Sequence, residues 1–231
     1  MLHRLMCLVA HMALCLVVVH GGSVRAEQAS DAQKGPAEVI SDVTSQVMTV
    51  VEEANTYFDQ DPDRCYREID DALAELVDWR GFATAVMGEY YSRGRSMDKA
   101  GRANLKRQRD DFATTLREGL IRSYAKGLLA FGGARMEVQG AEASPQSARV
   151  ASVTQLVYGE ADRVYTIRYQ MGQYKDGAWR LRNLIIETIN LGEIYRNQFS
   201  ALARDADDDL DSVIAQWNVA VGEQAEELTS D

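Results

Sequence analysis

Histidine and cysteine, the side chains most often used in catalysis and metal binding, are concentrated at the start of this 231-residue chain. All 3 histidines lie within the first 20 residues, and so do Cys7 and Cys15, which are two of the 3 cysteines. The remainder of the chain has no imidazole and a single thiol, that of Cys65. Serine–histidine triads, histidine acid–base catalysis and zinc sites that use histidine are therefore excluded there. This composition favours a protein that binds or carries a molecule over one that transforms it.

The same N-terminal stretch has the pattern of a secretory signal peptide. Arg4 precedes an apolar run over residues 5–19, and Val24 and Ala26 stand where signal peptidase requires small residues. We therefore expect residues 1–26 to be removed and the protein to be exported. The apolar run is about 15 residues long, shorter than the roughly 20 that span a bilayer. A retained membrane anchor and a lipidated cysteine remain the alternatives.

The rest of the composition is that of an acidic protein whose fold depends on packing. Cleavage removes two arginines and no acid, which takes the net charge from −10 to −12. This charge disfavours nucleic acid as a partner. A single remaining cysteine cannot form an internal disulfide. The length after cleavage suits one domain with a sizeable core, on the usual scale of about 100–200 residues per domain.

Helical periodicity dominates the first half of the remaining chain. After a polar segment over 27–35, expected to be disordered, apolar residues recur at three- and four-residue spacing. They predict an amphipathic helix over 36–58, a second helix from Pro62, and a short helix over 79–90. A long helix follows, capped by Ser96, and its glycines leave open whether it is unbroken.

Alternating apolar residues then predict strands, before helical periodicity returns. The β-like runs occur at hairpin spacing, over 134–141, 148–158, 163–172 and 178–187. Helices follow from Leu191 and over 208–217. This order predicts one α+β domain over 36–218, a highly twisted four-stranded antiparallel sheet packed against several helices. Residues 219–231 are expected to form an acidic flexible tail.

Carboxylates offer two candidate sites. Asp205, Asp207 and Asp209 have the spacing of a calcium loop, but Leu210 stands where that loop needs glycine. Acids at a helix N-terminus are explained by the helix dipole. Glu187 follows an apolar strand, where a carboxylate beside a dry pocket could act as a base. The favoured interpretation of Glu187 is a structural acceptor for backbone N–H groups.

A group of cations reverses the sign of this acidic chain locally. Its members fall on one face of the predicted long helix: Arg95, Lys99, Arg102, Lys106 and Arg109. This face is predicted to dock an acidic partner or lipid headgroups, the alternative being a solvated helix face.

The C-terminal third resembles the signature of the MlaC family, also called the toluene-tolerance auxiliary proteins. The segment over 179–199 resembles that family's W-x-V-x-D-V-x-x-E-G-V-S-L…R-x-Q-F run. Asn183 replaces the usual acid and Thr188 the usual glycine. The positions that match are Trp179, Glu187, Leu191, Arg196, Gln198 and Phe199.

Two upstream segments agree with this resemblance. Residues 77–88 resemble the family's V-D-F…V-L-G helix, and residues 124–131 resemble its Y-A-x-x-L-x-x-Y helix end. The resemblance spans about residues 38–217. It implies a soluble periplasmic phospholipid carrier that maintains outer-membrane lipid asymmetry, with no enzyme activity and no cofactor besides its lipid cargo. The partners implied are an outer-membrane lipoprotein complex and an inner-membrane ABC transporter complex with an MCE-domain subunit, and we expect a monomer.

A lipid carrier needs a deep apolar pocket, because burying acyl chains is worth about 0.8 kcal/mol per CH₂. We predict such a pocket between the sheet and the helices, lined by Leu120, Tyr124, Leu128, Ile167, Tyr169, Met171, Trp179, Leu181, Ile189 and Tyr195. Two alternatives remain. One is an α+β enzyme similar to the nuclear-transport-factor-like folds, with Glu187 as base in an apolar pocket. The other is an adaptor protein with a filled core.

Overall fold

The computed structural model describes residues 33–129, 132–159 and 163–217. The expected signal peptide over 1–26, most of the polar segment over 27–35, and the expected tail over 219–231 lie outside the described residues. Within the described ranges, no helix combines the length and the apolar character that a membrane span requires.

The chain forms helices, then a sheet, then helices again, so the predicted α+β class is confirmed. The helices before the sheet are α1 (Pro36–Ala54), α2 (Pro62–Leu73), α3 (Trp79–Met87), α4 (Glu89–Ser92) and α5 (Lys99–Leu129), with a 3₁₀ turn at Arg93–Ser96. The helices after the sheet are α6 (Leu191–Asp205) and α7 over 210–217.

The sheet is an antiparallel meander of consecutive strands. They are β1 (Arg135–Ser144), β2 (Ser147–Tyr158), β3 (Val164–Gln173), β4 (Trp179–Ile186) and β5 (Ile189–Asn190). The four predicted strands agree with β1 to β4 within a few residues at each end. The sequence did not predict β5, because two residues are too few to show alternation.

Prolines and aspartates mark where the helices begin. Pro36 and Pro62 open α1 and α2, where the missing N–H removes no hydrogen bond. Asp78 caps α3 by accepting a hydrogen bond from Gly81 N at 3.0 Å. Gly88 has φ +54° and divides the helix predicted over 79–90 into α3 and α4.

The long helix α5 differs from its prediction at its N-terminus. Ser96 lies in the 3₁₀ turn, and Asp98 is the residue that caps α5, its Oδ1 accepting from Gly101 N at 2.7 Å. The helix then continues unbroken through Gly119 and Gly127. Gly119 is buried, and packing on that face offsets the roughly 1 kcal/mol by which glycine disfavours a helix.

Buried apolar residues form three clusters. The first joins α3, α5, α6 and α7 and contains Phe112, Phe199 and Trp217. The second lies between α1 and the sheet and contains Ile40 and Met171. The third joins α1, α2 and α5. The space between these three clusters is only partly filled, and it contains the candidate site.

Candidate functional site

A cavity of about 310 Å³ lies where the three clusters meet, between the sheet and helices α1, α2, α3, α5 and α6. This volume is within the range of small-molecule sites, about 300–1,000 Å³. Residues from each cluster form its wall, among them Leu191 from the first, Ile40 from the second and Ile121 from the third. The lining is almost entirely aliphatic and aromatic.

Most residues predicted to line a pocket lie around this cavity. They come from α5, β3, β4 and α6: Leu120, Tyr124, Leu128, Ile167, Tyr169, Leu181 and Tyr195. Strand alternation on β3 and four-residue spacing on α5 therefore predicted correctly that these side chains face one another.

Three predicted residues lie outside the cavity lining. Met171 is fully buried in the cluster between α1 and the sheet, and Trp179 packs against the same cluster. Ile189 packs instead against the first cluster, the aromatic cluster that contains Phe112, Phe199 and Trp217. On the inward face of β3, Ile167 and Tyr169 therefore border the cavity, whereas Met171 lies in filled core.

A β-bulge in β4 explains which strand residues face the cavity. Tyr169 pairs with Leu184, but Met171 pairs with Leu181, so β4 carries one extra residue between these pairs. Strict alternation from Leu184 would turn Arg182 inward. The bulge instead turns Leu181 inward.

Arg182 is the one charged residue along the lining among the described residues, but its charged end points elsewhere. The residue is exposed, and its guanidinium lies 5.5 Å from the centroid of the Tyr174 ring. A side chain at Gly172 would overlap that guanidinium, so glycine there gives Arg182 its outward path. The cavity therefore contains no charged group from the described residues.

Sequence reasoning missed the contribution of α1 and of several neighbouring residues. The missed residues are Ile40, Val43, Thr44, Val47, Met48, Ile69, Leu73, Leu76, Val77, Trp79, Phe82, Ile121, Ala125, Met136, Gln155, Arg182, Asn183, Leu184, Ile186 and Leu191. The apolar stripe of α1 was visible in the sequence. Helical periodicity does not distinguish a stripe that faces a cavity from one that faces a filled core.

Two small hydrogen-bonded groups interrupt the apolar wall. Between the sheet and α1, Tyr169 OH donates to Gln155 Oε1 at 2.6 Å, and Gln155 Nε2 donates to Thr44 Oγ1 at 3.0 Å. Between α5 and α6, the hydroxyls of Tyr124 and Tyr195 lie 2.8 Å apart. A glutamine among the inward apolar positions of β2 was the available sequence signal for the first group.

Burial keeps the tyrosine hydroxyls of the cavity neutral. Loss of hydration raises the pKa of Tyr169 and the pKa of Tyr195 well above the usual value of 10.0. Burial also raises the pKa of Tyr124, although its hydrogen bond with Tyr195 opposes part of that shift. All three groups therefore act as neutral hydrogen-bonding groups across the physiological range.

Glu187 lies outside the cavity and has a structural position. Its residue is exposed and has φ +55° in the turn between β4 and β5. Its carboxylate accepts a hydrogen bond from Thr166 N, and its own N–H donates to Thr166 O at 2.8 Å. The carboxylate therefore does not lie in the apolar pocket that a role as catalytic base would need.

Asn183 stands where the family that this sequence resembles usually has an acid, and its side chain forms hydrogen bonds at the start of α6. Its Oδ1 accepts from Gly192 N at 3.0 Å, and its Nδ2 donates to Asn190 Oδ1 at 2.9 Å. Asn190 Oδ1 in turn accepts from Glu193 N at 3.2 Å. The amide of Asn183 therefore caps α6 through its oxygen and positions the capping side chain of Asn190 through its nitrogen.

Asp209, the last of the three aspartates with calcium-like spacing, caps the start of α7. Asp209 Oδ1 accepts from the backbone N–H groups of Asp211 and Ser212, and its Oδ2 accepts from Ser212 Oγ at 2.8 Å. In the part of the chain that the structure describes, no cluster of histidine, cysteine and carboxylate side chains is placed to hold a metal ion.

Four of the five predicted docking cations are exposed and form no ion pair with another described residue. They are Arg95 on the 3₁₀ turn and Lys99, Arg102 and Lys106 on α5. Neighbouring cations differ, since Arg93 pairs with Asp208 at 2.6 Å.

Arg109 departs from the predicted face. Its side chain is 15% exposed, its Nε lies 2.9 Å from Asp110 Oδ1, and it donates to Tyr91 OH. The reason is its position on α5, four residues after buried Leu105 and three before buried Phe112. The exposed basic face therefore consists of Arg95, Lys99, Arg102 and Lys106.

Comparisons with known proteins identify a family, a relative and a shared fold. The family model described as MlaC protein matches residues 41–219. Toluene tolerance protein ttg2D of Pseudomonas putida is 27% identical over 196 residues, which cover 84% of this chain and 86% of that protein. The solved structure of a phospholipid-binding protein from Ralstonia solanacearum, in complex with a phospholipid, superposes with a TM-score of 0.65. It covers 81% of this chain and 96% of that one at 15% identity, which establishes a common fold.

Proposed function

The chain belongs to the MlaC protein family, and we propose that it is a periplasmic carrier that shuttles phospholipids between the outer and inner membranes. The cavity holds the acyl chains during transfer. The lipid is cargo, and the protein performs no chemical step on it.

The observation that carries this proposal is the uncharged cavity of about 310 Å³ between the sheet and five helices. On the scale of about 24 cal/mol per Å³ found for engineered cavities, an empty dry void of this size costs about 7 kcal/mol. A chain that maintains such a void gains stability when hydrocarbon fills it. An adaptor protein with a filled core would have no reason to keep this space.

The apolar lining also fits the energetics of moving a lipid through water. Each acyl CH₂ that leaves water for the cavity contributes about 0.8 kcal/mol. Because no charged side chain of the described residues points into the cavity, hydrocarbon meets no group that needs hydration. Two membranes separated by an aqueous compartment require a carrier with this property.

Extraction of the purified protein tests the proposal directly. The protein is isolated from the periplasmic fraction without detergent and extracted with organic solvent, and the released lipids are identified by mass spectrometry. We expect diacyl phospholipid in near-stoichiometric amount. A protein that releases no lipid and takes up none from phospholipid vesicles would contradict the proposal.

We further propose that the exposed basic face docks the membrane partners, an inner-membrane ABC transporter complex with an MCE-domain subunit and an outer-membrane lipoprotein complex. The face has unpaired cations on a chain of net charge −10. Charge complementarity of this kind acts mainly on association rates and depends on salt.

Charge reversal tests the docking role. Arg102→Glu with Lys106→Glu should weaken partner binding most at low salt and leave bound lipid unchanged. Arg67→Glu with Lys175→Glu makes the same change in net charge at exposed cations elsewhere and should have little effect. Equal loss of binding in both pairs would assign the effect to net charge and remove the basic face from the proposal.

A further inference from the structure

The polar groups of the cavity supply more hydrogen-bond donors than the surrounding described residues accept. Tyr124 and Tyr195 place their hydroxyls 2.8 Å apart, and either oxygen can donate to the other. Each hydroxyl carries one proton. One hydrogen bond uses one of these two protons, and the second has no acceptor among the described residues. The pair therefore presents one spare donor.

Trp79 has a further buried donor without a described partner, but no surface of that donor is open to the cavity. It is the first residue of α3 and one of the lining residues. Its indole Nε1 is buried and has no hydrogen-bond partner among the described residues. Because a ligand in the cavity does not reach this nitrogen, the donor available to a ligand is that of the tyrosine pair.

Tyr169 shows the contrasting arrangement in the same cavity. Its hydroxyl proton is accepted by Gln155 Oε1 at 2.6 Å, so this tyrosine has no proton to spare. The spare donor that faces the cavity lies instead at the Tyr124–Tyr195 pair. Buried donors without acceptors are costly and rare in native proteins, so their presence in a cavity indicates a ligand with acceptor oxygens.

We propose that an ester carbonyl of a diacyl lipid enters the cavity with the acyl chains and accepts the spare proton of the Tyr124–Tyr195 pair. This inference rests on the proposed function and specifies its substrate class. An ester carbonyl has acceptor lone pairs and no proton of its own, which matches a lining with a surplus donor. A carboxylate would also accept, but it would bring a charge into a cavity where no described side chain supplies a cation.

Lipids that differ only in their linkage test this proposal. The protein is stripped of copurified lipid and then titrated with dipalmitoyl phosphatidylglycerol and with its dihexadecyl ether analogue, each competing with a fluorescent phospholipid. The ether analogue keeps the chains and headgroup and lacks the carbonyls. We expect the ester lipid to bind about three- to tenfold more tightly, which is the usual value of one hydrogen bond.

Matched tyrosine variants locate the preference. Tyr124→Phe alone leaves the Tyr195 proton available, so the preference for ester should persist. The double variant Tyr124→Phe/Tyr195→Phe removes the spare proton while conserving shape, and the preference should fall toward equality. Tyr169→Phe is the control, since it removes a hydroxyl whose proton is already accepted, and it should keep the full preference.

The outcomes separate this inference from the proposed function. Equal affinity of the unaltered protein for ester and ether lipids would overturn the inference and leave lipid binding intact. An undiminished preference in the double variant would also overturn it. Failure of both lipids to bind would overturn the proposed function and this inference with it.

Discussion

Two apolar regions of this molecule are packed in opposite ways. The aromatic cluster is solid: Phe112, Phe199 and Trp217 are fully buried, and the Phe112 ring lies 4.9 Å from Phe199 and 5.0 Å from Trp217 between centroids. Beside it, mainly aliphatic side chains surround a cavity of about 310 Å³. Large rings in edge-to-face contact fill the space between helices. The contrast indicates that stability is concentrated in one region and cargo capacity in the other.

The largest difference between the two regions should appear on truncation. Phe112→Ala removes a ring with contacts on every side and should lower the free energy of unfolding by about 3–5 kcal/mol. Leu128→Ala removes a side chain that already faces the cavity, and it should cost about 2 kcal/mol or less.

Urea unfolding of both variants, loaded with the same lipid, measures this difference. Lipid content should be unchanged in Phe112→Ala at temperatures where the protein is folded. Equal destabilisation by the two substitutions would mean that the cavity wall is packed as tightly as the aromatic cluster.

Removal of lipid should destabilise the protein through the cavity. A ligand at a hundredfold excess over its Kd stabilises the folded state by about 2.7 kcal/mol, so delipidated protein should unfold at correspondingly lower urea concentration. Readdition of phospholipid should restore the transition. Hydrogen exchange should increase in α1 and α2, which line the cavity, more than in α6 around Phe199. Uniform exchange throughout the domain would show that the two regions are not separable.

Alkaline pH should lower the free energy of unfolding by a smaller amount, through the tyrosines of the cavity. Burial raises the pKa of Tyr169 and the pKa of Tyr195 in the folded state above the ordinary 10.0. Their contribution is complete below pH 10.0 and is lost as pH rises further, because the unfolded chain then releases protons that the folded chain retains. The loss approaches about 1.4 kcal/mol per pH unit for each such group.

Tyr169→Phe isolates one of these contributions. Unfolding free energies measured between pH 9 and pH 11 should fall less steeply in Tyr169→Phe than in the unaltered protein. Identical slopes would mean that Tyr169 ionises in the folded protein as it does in water, which would place solvent inside the cavity.

The fold was largely predictable from local pattern, and its departures have local causes. Alternation located β1 to β4, and helical periodicity located α1, α5 and α6. The break at Gly88 and the choice of Asp98 over Ser96 as cap were missed, because both depend on backbone geometry at one residue. The two-residue strand β5 gives no periodic signal.

The sequence predicted which side chains of the site share a strand or helix face, but it did not predict where the cavity ends. Periodicity grouped Ile167 with Tyr169 and placed Tyr124 on the facing side of α5. It could not show that Met171, on the same strand face, belongs to solid core. The bulge that turns Leu181 inward and Arg182 outward has no signature in single-residue alternation, since any strand residue can occupy the extra position.

We propose that the inward face of β3 borders a cavity occupied by acyl chains, and one pair of variants on this strand tests that placement. Ile167→Glu places a carboxylate in the uncharged lining, and Val164→Glu makes the same chemical change on the same strand at a side chain that is 45% exposed. Both proteins are checked for folding by circular dichroism and then analysed for bound lipid by native mass spectrometry. We predict that Ile167→Glu is folded and empty, because an unpaired charge facing acyl chains is costly, while Val164→Glu retains its lipid. Full lipid occupancy in folded Ile167→Glu would show that this face of β3 does not border the acyl chains.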